Sequence, residues 1–504
     1  MSEIFSNLLT GFGQMMSLET LLFAFLGVLI GTLIGILPGI GPITAIALLI
    51  PMSYGLAPVN GLILLCGIYY GSMYGGSITS ILVRTPGDVS AVVVTLDGYE
   101  MAKQGRAKPA LATSAIGSFV GGTVSVIGLM TLAPVLANAA QIIGSAEYFL
   151  LMILAITMVT SFTTGSRLKA YLSTLLGLAI ATIGIDLQTG QSRFTFGIPN
   201  LLDGIDFVLI AIALFAVPEA LMNVTKKNKN MSNMQKMEGS LWMTKDDWKR
   251  SGKSYGRGSV LGFLIGVLPG IGPSLASFMS YAMEKKVSKR PQQFGKGAIE
   301  GVAGPEAANN AAVGGAFVPL FTLGIPGSAT TALLLVIFMM YGLQPGPAMM
   351  EQNPDLIWAI IASMYVGNIF LLILNLPLVG LFASILKLPS VPLYVGVLAF
   401  AVLGVYGLNL NQFDLMLLFL FGLLGIGMQK FGFPLAPLVL SVILGPLIEQ
   451  NLSRAISSAS GNWLIFFERP VSLVIIVIIG LVLILPAMLK GIKKKVDQDI
   501  DSSM

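Results

Sequence analysis

The residues best equipped for chemistry flank two short interruptions in otherwise apolar sequence. Thr85, Asp88 and Ser90 surround Pro86-Gly87, and Thr322, Ser328, Thr330 and Thr331 surround Pro326-Gly327. Hydroxyls and unwound carbonyls are hard oxygen ligands suited to Na+, and free helix N-termini present amide groups to carboxylates. On that chemistry Thr85, Gly87, Asp88, Thr322 and Thr330 are candidate cation ligands, and Gly327 and Ser328 candidate anion contacts. The plainer alternative is a pair of packing kinks whose small polar residues bond their own helix. A glycine pair precedes each break, Gly75-Gly76 in the first and Gly314-Gly315 in the second. Two matched pairs favour the binding role.

Three further groups stand at the edge of charge-free sequence. Arg84 and Asp88 flank Pro86; an arginine fork suits a carboxylate, and the alternative is an i,i+4 ion pair near the membrane interface. In the GPEAANN stretch, Glu306 precedes Asn309 and Asn310, whose amides can donate to a carboxylate or bond between helices. Catalytic groupings are scarce. The chain has no histidine, and its one cysteine, Cys66, sits in apolar sequence and allows no internal disulfide. Asp88 and Asp186 lack the GxGD context of an intramembrane aspartyl pair, and no GxxxxGK[ST] nucleotide loop is present. The expectation is therefore a protein that is not an enzyme and needs no cofactor beyond a coupling ion.

These residues must be positioned by the stretch the chain uses twice. Residues 31–42 read GTLIGILPGIGP and 262–273 read GFLIGVLPGIGP, identical at ten of twelve positions at an offset of 231. Proline removes a backbone donor and glycine admits positive φ, so no helix continues through PGIGP. In hydrocarbon the freed backbone groups must be satisfied, and paired interruptions in two halves point to a transporter's binding site. Pro38, Gly39 and Gly41, with Pro269, Gly270 and Gly272, join Asn309, Asn310, Gly327, Ser328 and Arg84 as candidate substrate contacts.

Composition sets the solvent. With 55% hydrophobic and 11% charged residues and a mean hydropathy of +0.85, the chain is a polytopic membrane protein. No charged residue occurs from Leu21 to Val83 or from Ala307 to Met350. A crossing takes about 20 apolar residues. The net charge of +5 sits mostly in loops and reports orientation, so no nucleic-acid partner is implied. The N-terminus carries no basic n-region or cleavage site, so no removed signal peptide is expected.

The clearest linker is 226–258, with nine basic residues against Glu238, Asp246 and Asp247. The positive-inside rule places it in the cytoplasm, together with the C-terminal lysines 490 and 493–495. Each arm around the second PGIGP spans about ten apolar residues, half a crossing, and a basic loop (Lys285, Lys286, Lys289, Arg290, Lys296) follows. A re-entrant hairpin keeps both flanks cytoplasmic, so it fits better than a kinked crossing. The flanks of the first copy carry no Lys or Arg, which suits the opposite side. Five crossings per half plus a final helix give about 11 transmembrane helices and two hairpins, in two inverted repeats. The expected divisions are 1–225, the linker 226–258, 259–465, and 466–504 with the last helix and a cytoplasmic tail.

LPGIGP twice, TPGD, the GPEAANN run and GIPGSA resemble the large membrane subunit of the tripartite tricarboxylate transporter family (TctA type). The likeness covers essentially the whole chain; Gly304 stands where the family pattern has alanine. The resemblance implies a Na+- or H+-coupled secondary importer of carboxylates, such as citrate or other di- and tricarboxylates, in the bacterial inner membrane. It implies a small membrane subunit and a periplasmic substrate-binding protein as partners, with a homodimer among the assemblies considered. Distant kinship to divalent-anion symporters implies an elevator architecture. Cation binding at unwound carbonyls would then raise anion affinity before the loaded domain changes access. An anion channel, or a carboxylate symporter working without a binding protein, is the alternative.

Overall fold

The computed structural model describes residues 2–37, 40–163, 165–186, 188–224, 234–237, 240–270, 272–387 and 390–484. Pro38, Gly39, residues 226–233 and 238–239 of the basic linker and the C-terminal lysines lie outside them. Nine helices among the described residues are long and apolar enough to cross a membrane. One two-stranded antiparallel ribbon, Gly184–Ile185 with Ser192–Arg193, is the sheet among these residues. The chain divides into two compact units, Met1–Asn138 with Asp206–Gly427, and Ala139–Ile205 with Met428–Met504. Both units draw on both halves of the sequence, so this division cuts across the halves expected above.

In the first unit, α1 (Ser2–Met15) leads to α2 (Leu18–Gly35), α3 (Pro42–Ser53) and the long α4 (Pro58–Val83). Beyond the Pro86-Gly87 break come a 3-10 turn (Val89–Val92), α5 (Val94–Met101) and α6 (Ala107–Ala140). α7 (Phe207–Val224) closes the first half. The second half opens with α8 (Lys245–Val267), α9 (Gly272–Val287), the long α10 (Glu300–Leu323) and, past Pro326-Gly327, α11 (Ala329–Met340). α12 (Pro354–Asn375), α13 (Val391–Asn409) and α14 (Gln412–Lys430) follow.

The two halves are built on one packing plan, and glycine sets it. A Cβ placed on Gly31 would lie 2.8 Å from Ile68 Cα, and one on Gly35 2.8 Å from Ser72 Cα. The matching Cβ positions on Gly262 and Gly266 fall 2.5 Å from Ala308 Cα and 2.6 Å from Ala312 Cα. Gly27 against Leu64 and Gly258 against Gly304 complete both ladders, each at 3.1 Å from the carbonyl carbon. Missing side chains every fourth residue let α2 seat on α4, and α8 on α10, backbone to backbone.

The register of these ladders gives direction. Residue numbers rise together on α2 and α4, and on α8 and α10, so both pairs are parallel. α3 and α9 must therefore bring the chain back, so α2 with α3, and α8 with α9, form helical hairpins. In the second hairpin, Arg257 and Ser254 midway along α8 bond Glu284 near the end of α9 at 2.5–2.8 Å. The long helices α4 and α10 cross in opposite senses. Tyr70 stacks on Phe317 with centroids 6.2 Å apart, while Ser77 donates to Glu306 at 2.6 Å. The copies then interlock: α11 packs on α3 and α4, whereas the 3-10 turn packs on α9 and α5 on α10.

The linker ends earlier than its charge suggests. Thr244 and Asp247 form a capping box that starts α8 at Lys245, so five of the expected linker's basic residues (Lys245, Lys249, Arg250, Lys253, Arg257) ride on a helix. Carboxylates hold three arginines there or beside it: Arg106 with Asp247 at 2.7 Å, Arg250 with Glu300 at 2.6 Å and Arg257 with Glu284 at 2.5 Å.

The second unit packs α15 (Ser145–Phe162) and α16 (Arg167–Ala181) against α17 (Leu435–Ser458). A Cβ on Gly177 would lie 2.8 Å from Ser441 Cβ, and one on Gly445 2.5 Å from Ala181 Cβ, so α16 and α17 are parallel. Arg193 of the ribbon grips Glu449 of α17 with both guanidinium branches, at 2.6 and 3.0 Å.

Candidate functional site

Each Pro-Gly break is seated on the PGIGP turn of its own half. α4 ends with Arg84 in the left-handed region (φ 58°), and α10 ends with Gly324 there (φ 65°). Both chains double back. A Cβ on Gly87 would lie 2.6 Å from Gly76 Cα, and one on Gly327 2.8 Å from Ala316 Cα. Gly270, itself at φ 80°, donates its N–H to the Gly327 carbonyl at 2.8 Å. Gly272 (φ 68°) then opens α9 ahead of Pro273, the left-handed pair making the turn that a β-branched residue resists. In the first half Gly35 abuts Gly87, and a Cβ on Gly41 would sit 4.0 Å from Asp88 Cβ.

The turns lie level with the point where the long helices cross. The first abuts α4 at Ser72–Gly76 and the second abuts α10 at Ala312–Ala316; just beyond both, Tyr70 stacks on Phe317. Ser328 caps α11 and meets the Tyr69 hydroxyl of α4 at 3.3 Å, joining the second break to the first long helix. Aromatic rings (Tyr69, Tyr70, Phe317, Phe321, Phe338) line one side of the crossing with centroid spacings of 5.4–6.4 Å.

The polar chemistry sits on α10. Asn309 is 1% exposed, and neither its Nδ2 nor its Oδ1 has a hydrogen-bond partner. Asn310 donates to the Glu306 carbonyl at 3.2 Å and leaves its Oδ1 unpartnered. Buried polar atoms are paired in the great majority of cases, so an open amide on a long helix calls for a functional explanation. Asn309 occupies the position that Tyr69 occupies in the first half, and Tyr69 is the residue that reaches a Pro-Gly break.

Other candidates are placed differently. The Asp88 carboxylate caps the 3-10 turn, accepting from the Ser90 and Ala91 N–H groups and from Ser90 Oγ at 2.6 Å. Arg84 is exposed and lies over the Tyr99 ring at 5.6 Å, so its fork is not aimed at the turns. Thr322 donates to Val318 of its own helix at 2.8 Å, and Thr85 to Val83 at 3.4 Å. Of the candidate cation ligands, Thr85, Gly87 and Asp88 lie at the first break and Thr322 and Thr330 flank the second. Asp186 is engaged in its own exposed turn; the Gln188 N–H and Thr189 hydroxyl hold its carboxyl below the usual range.

Sequence reasoning passed over Tyr69, Ser77, Ser118 and Asn368. Asn368 of α12 accepts from Tyr74 at 3.2 Å and leaves its Nδ2 open; a lone asparagine inside an apolar span was signal enough. Ser77 and Ser118 offered none, because serine is common where helices pack closely.

Comparison with known proteins fits this geometry. Residues 21–440 match the model of the tripartite tricarboxylate transporter TctA family. The chain is 44% identical over 498 residues to an uncharacterised 52.8 kDa protein in the TAR-I ttuC′ 3′ region of Agrobacterium vitis, covering 99% of both. It is 46% identical over 224 residues to a protein in the TAR-II ttuC′ 3′ region of the same organism, covering 44% of this chain and 92% of that one. No solved structure matches. The chain belongs to the tripartite tricarboxylate transporter TctA family.

Proposed function

We propose that the chain is the permease subunit of a cation-coupled carboxylate importer in the bacterial inner membrane. Its partners in this reading are a small membrane subunit and a periplasmic substrate-binding protein. The two oppositely directed copies act as inverted repeats, and their PGIGP hairpins dip into the membrane from opposite faces. Family membership and the crossing of α4 with α10 support this. The observation that carries it is the unpartnered Asn309 amide, buried at the level where both turns and both Pro-Gly breaks converge. A carboxylate accepts from the asparagine amide and the Tyr69 and Ser328 hydroxyls, and needs no fixed cation. Rigid movement of one unit against the other, as in an elevator, supplies alternating access.

The test is uptake of labelled citrate, succinate and tartrate into proteoliposomes holding the chain, its small subunit and its binding protein. Accumulation under a Na+ or pH gradient, lost in Asn309→Ala, is the expected result. Flux that only follows the substrate's own gradient would instead describe a channel.

A further inference from the structure

A second chemistry lies one turn before the asparagines. Glu306 has no exposed surface. Its Oε1 accepts from Ser77 of α4 at 2.6 Å and its Oε2 from Ser118 of α6 at 2.9 Å. α6 closes over it: a Cβ on Gly117 would lie 3.3 Å from Glu306 Cβ. The titratable groups around it are all otherwise engaged. Tyr74 of α4 donates to Asn368, and Tyr255 of α8 donates to the Thr113 carbonyl. Asp88 caps its 3-10 turn. Toward the start of α10, Asp97 of α5 accepts from Gly295, Gly297, Ala298 and Tyr281. Arg257 and Ser254 hold Glu284 of α9, and Arg250 holds Glu300. No cation among the described residues pairs with Glu306.

A sealed carboxylate without a counter-charge is costly to ionise, and two neutral hydroxyls offset only part of that cost. The same serines suit the acid form, since a hydroxyl can donate to one carboxyl oxygen and accept from the other's O–H. One proton can therefore come and go with no heavy atom moving. We propose that Glu306 is a proton-binding site of the transport cycle. Its O–H gives the proton to water when the site opens, leaving the carboxylate, and regains it from water on closing. Asn309 follows Glu306 by three residues on α10, so the anion read above would sit within about a turn of this charge. Like charges disfavour one another at that range, so anion and proton promote each other's binding reciprocally. The coupling rests on the carboxylate reading; the proton site does not.

Infrared pH-difference spectra of the full chain in nanodiscs test the site without transport. Wild type should show a protonated-acid carbonyl band that shifts in D2O and disappears as pH rises, and Glu306→Gln should lack it. Ser118→Ala removes a bond that favours the charged form, so its midpoint should rise by about one pH unit, a tenfold gain in proton affinity. Identical spectra for wild type and Glu306→Gln, or an unmoved midpoint in Ser118→Ala, would overturn the proposal. In proteoliposomes with the partner subunits, Glu306→Gln should cut citrate uptake driven by a pH gradient at least tenfold while citrate exchange persists. An undiminished response to the gradient would overturn the coupling role. No citrate, succinate or tartrate uptake by wild type would count against the carboxylate reading, and the infrared result would still decide the proton site.

Discussion

α8 carries its own control experiment for the packing plan. Five of its glycines differ in what they face: Cβ positions on Gly252 and Gly256 meet nothing within 4 Å, whereas those on Gly258, Gly262 and Gly266 run into α10. In Gly262→Ala the new methyl would lie 2.5 Å from Ala308 Cα. Non-bonded carbons rest near 3.5 Å, so the helices must part by about 1 Å, and a gap of that size forfeits a quarter to a half of each local dispersion contact. Overpacking of this kind costs about 1–3 kcal/mol. In Gly256→Ala the same methyl enters open space and gains about 0.5–1 kcal/mol of helix propensity. The propensity gain is common to both, so the two variants should differ by about 1–3 kcal/mol although they add the same atoms to one helix. Thermal unfolding of the purified chain in detergent, followed by tryptophan fluorescence, reads the difference. Gly31→Ala should fall with Gly262→Ala, because its methyl would lie 2.8 Å from Ile68 Cα. Equal melting of Gly256→Ala and Gly262→Ala would refute the ladder and the parallel pairing read from it.

Three further outcomes are expected. Gly270→Val should abolish uptake, since a β-branched residue at φ 80° is strained and disturbs the bond to Gly327; uptake near wild type would show that the turn tolerates rebuilding. Asn309→Ala should leave the melting temperature within a few degrees of wild type while uptake is lost, because the amide it removes holds no partner; a large stability loss would make the residue structural. In a Cys66→Ala background, Gln191→Cys should react with an impermeant thiol reagent from outside and Lys289→Cys only from inside. Labelling of both from one face would overturn the orientation.

The repeat was legible because PGIGP recurs in both halves with its spacing intact; the helices around it are longer than the ten-residue arms the sequence suggested, α8 running 23 residues and α9 16. The glycine ladders were visible as Gly27, Gly31 and Gly35 and as Gly258, Gly262 and Gly266. Nothing in the sequence named the carbonyls they face, since helix pairing is not a local property. The start of α8 was obscured by charge: lysines and arginines looked like a loop, while the capping box at Thr244 outweighs that composition. The likeness of the two breaks was partly hidden too, because Arg84 holds in one half the left-handed cap that Gly324 holds in the other. The sequence did not show that the Thr322 hydroxyl donates to a carbonyl of its own helix, which leaves its oxygen lone pairs as the ligating atoms.

The interlock of α3 with α11, and of the 3-10 turn with α9, makes each half of the chain a mould for the other. A half expressed alone would expose the faces its twin covers, so the two have no separate folded life. Drift in one copy must be answered in the other, at a residue far along the chain rather than at its sequence neighbour. A duplicated segment usually frees one copy to wander; here the geometry binds the pair to change together.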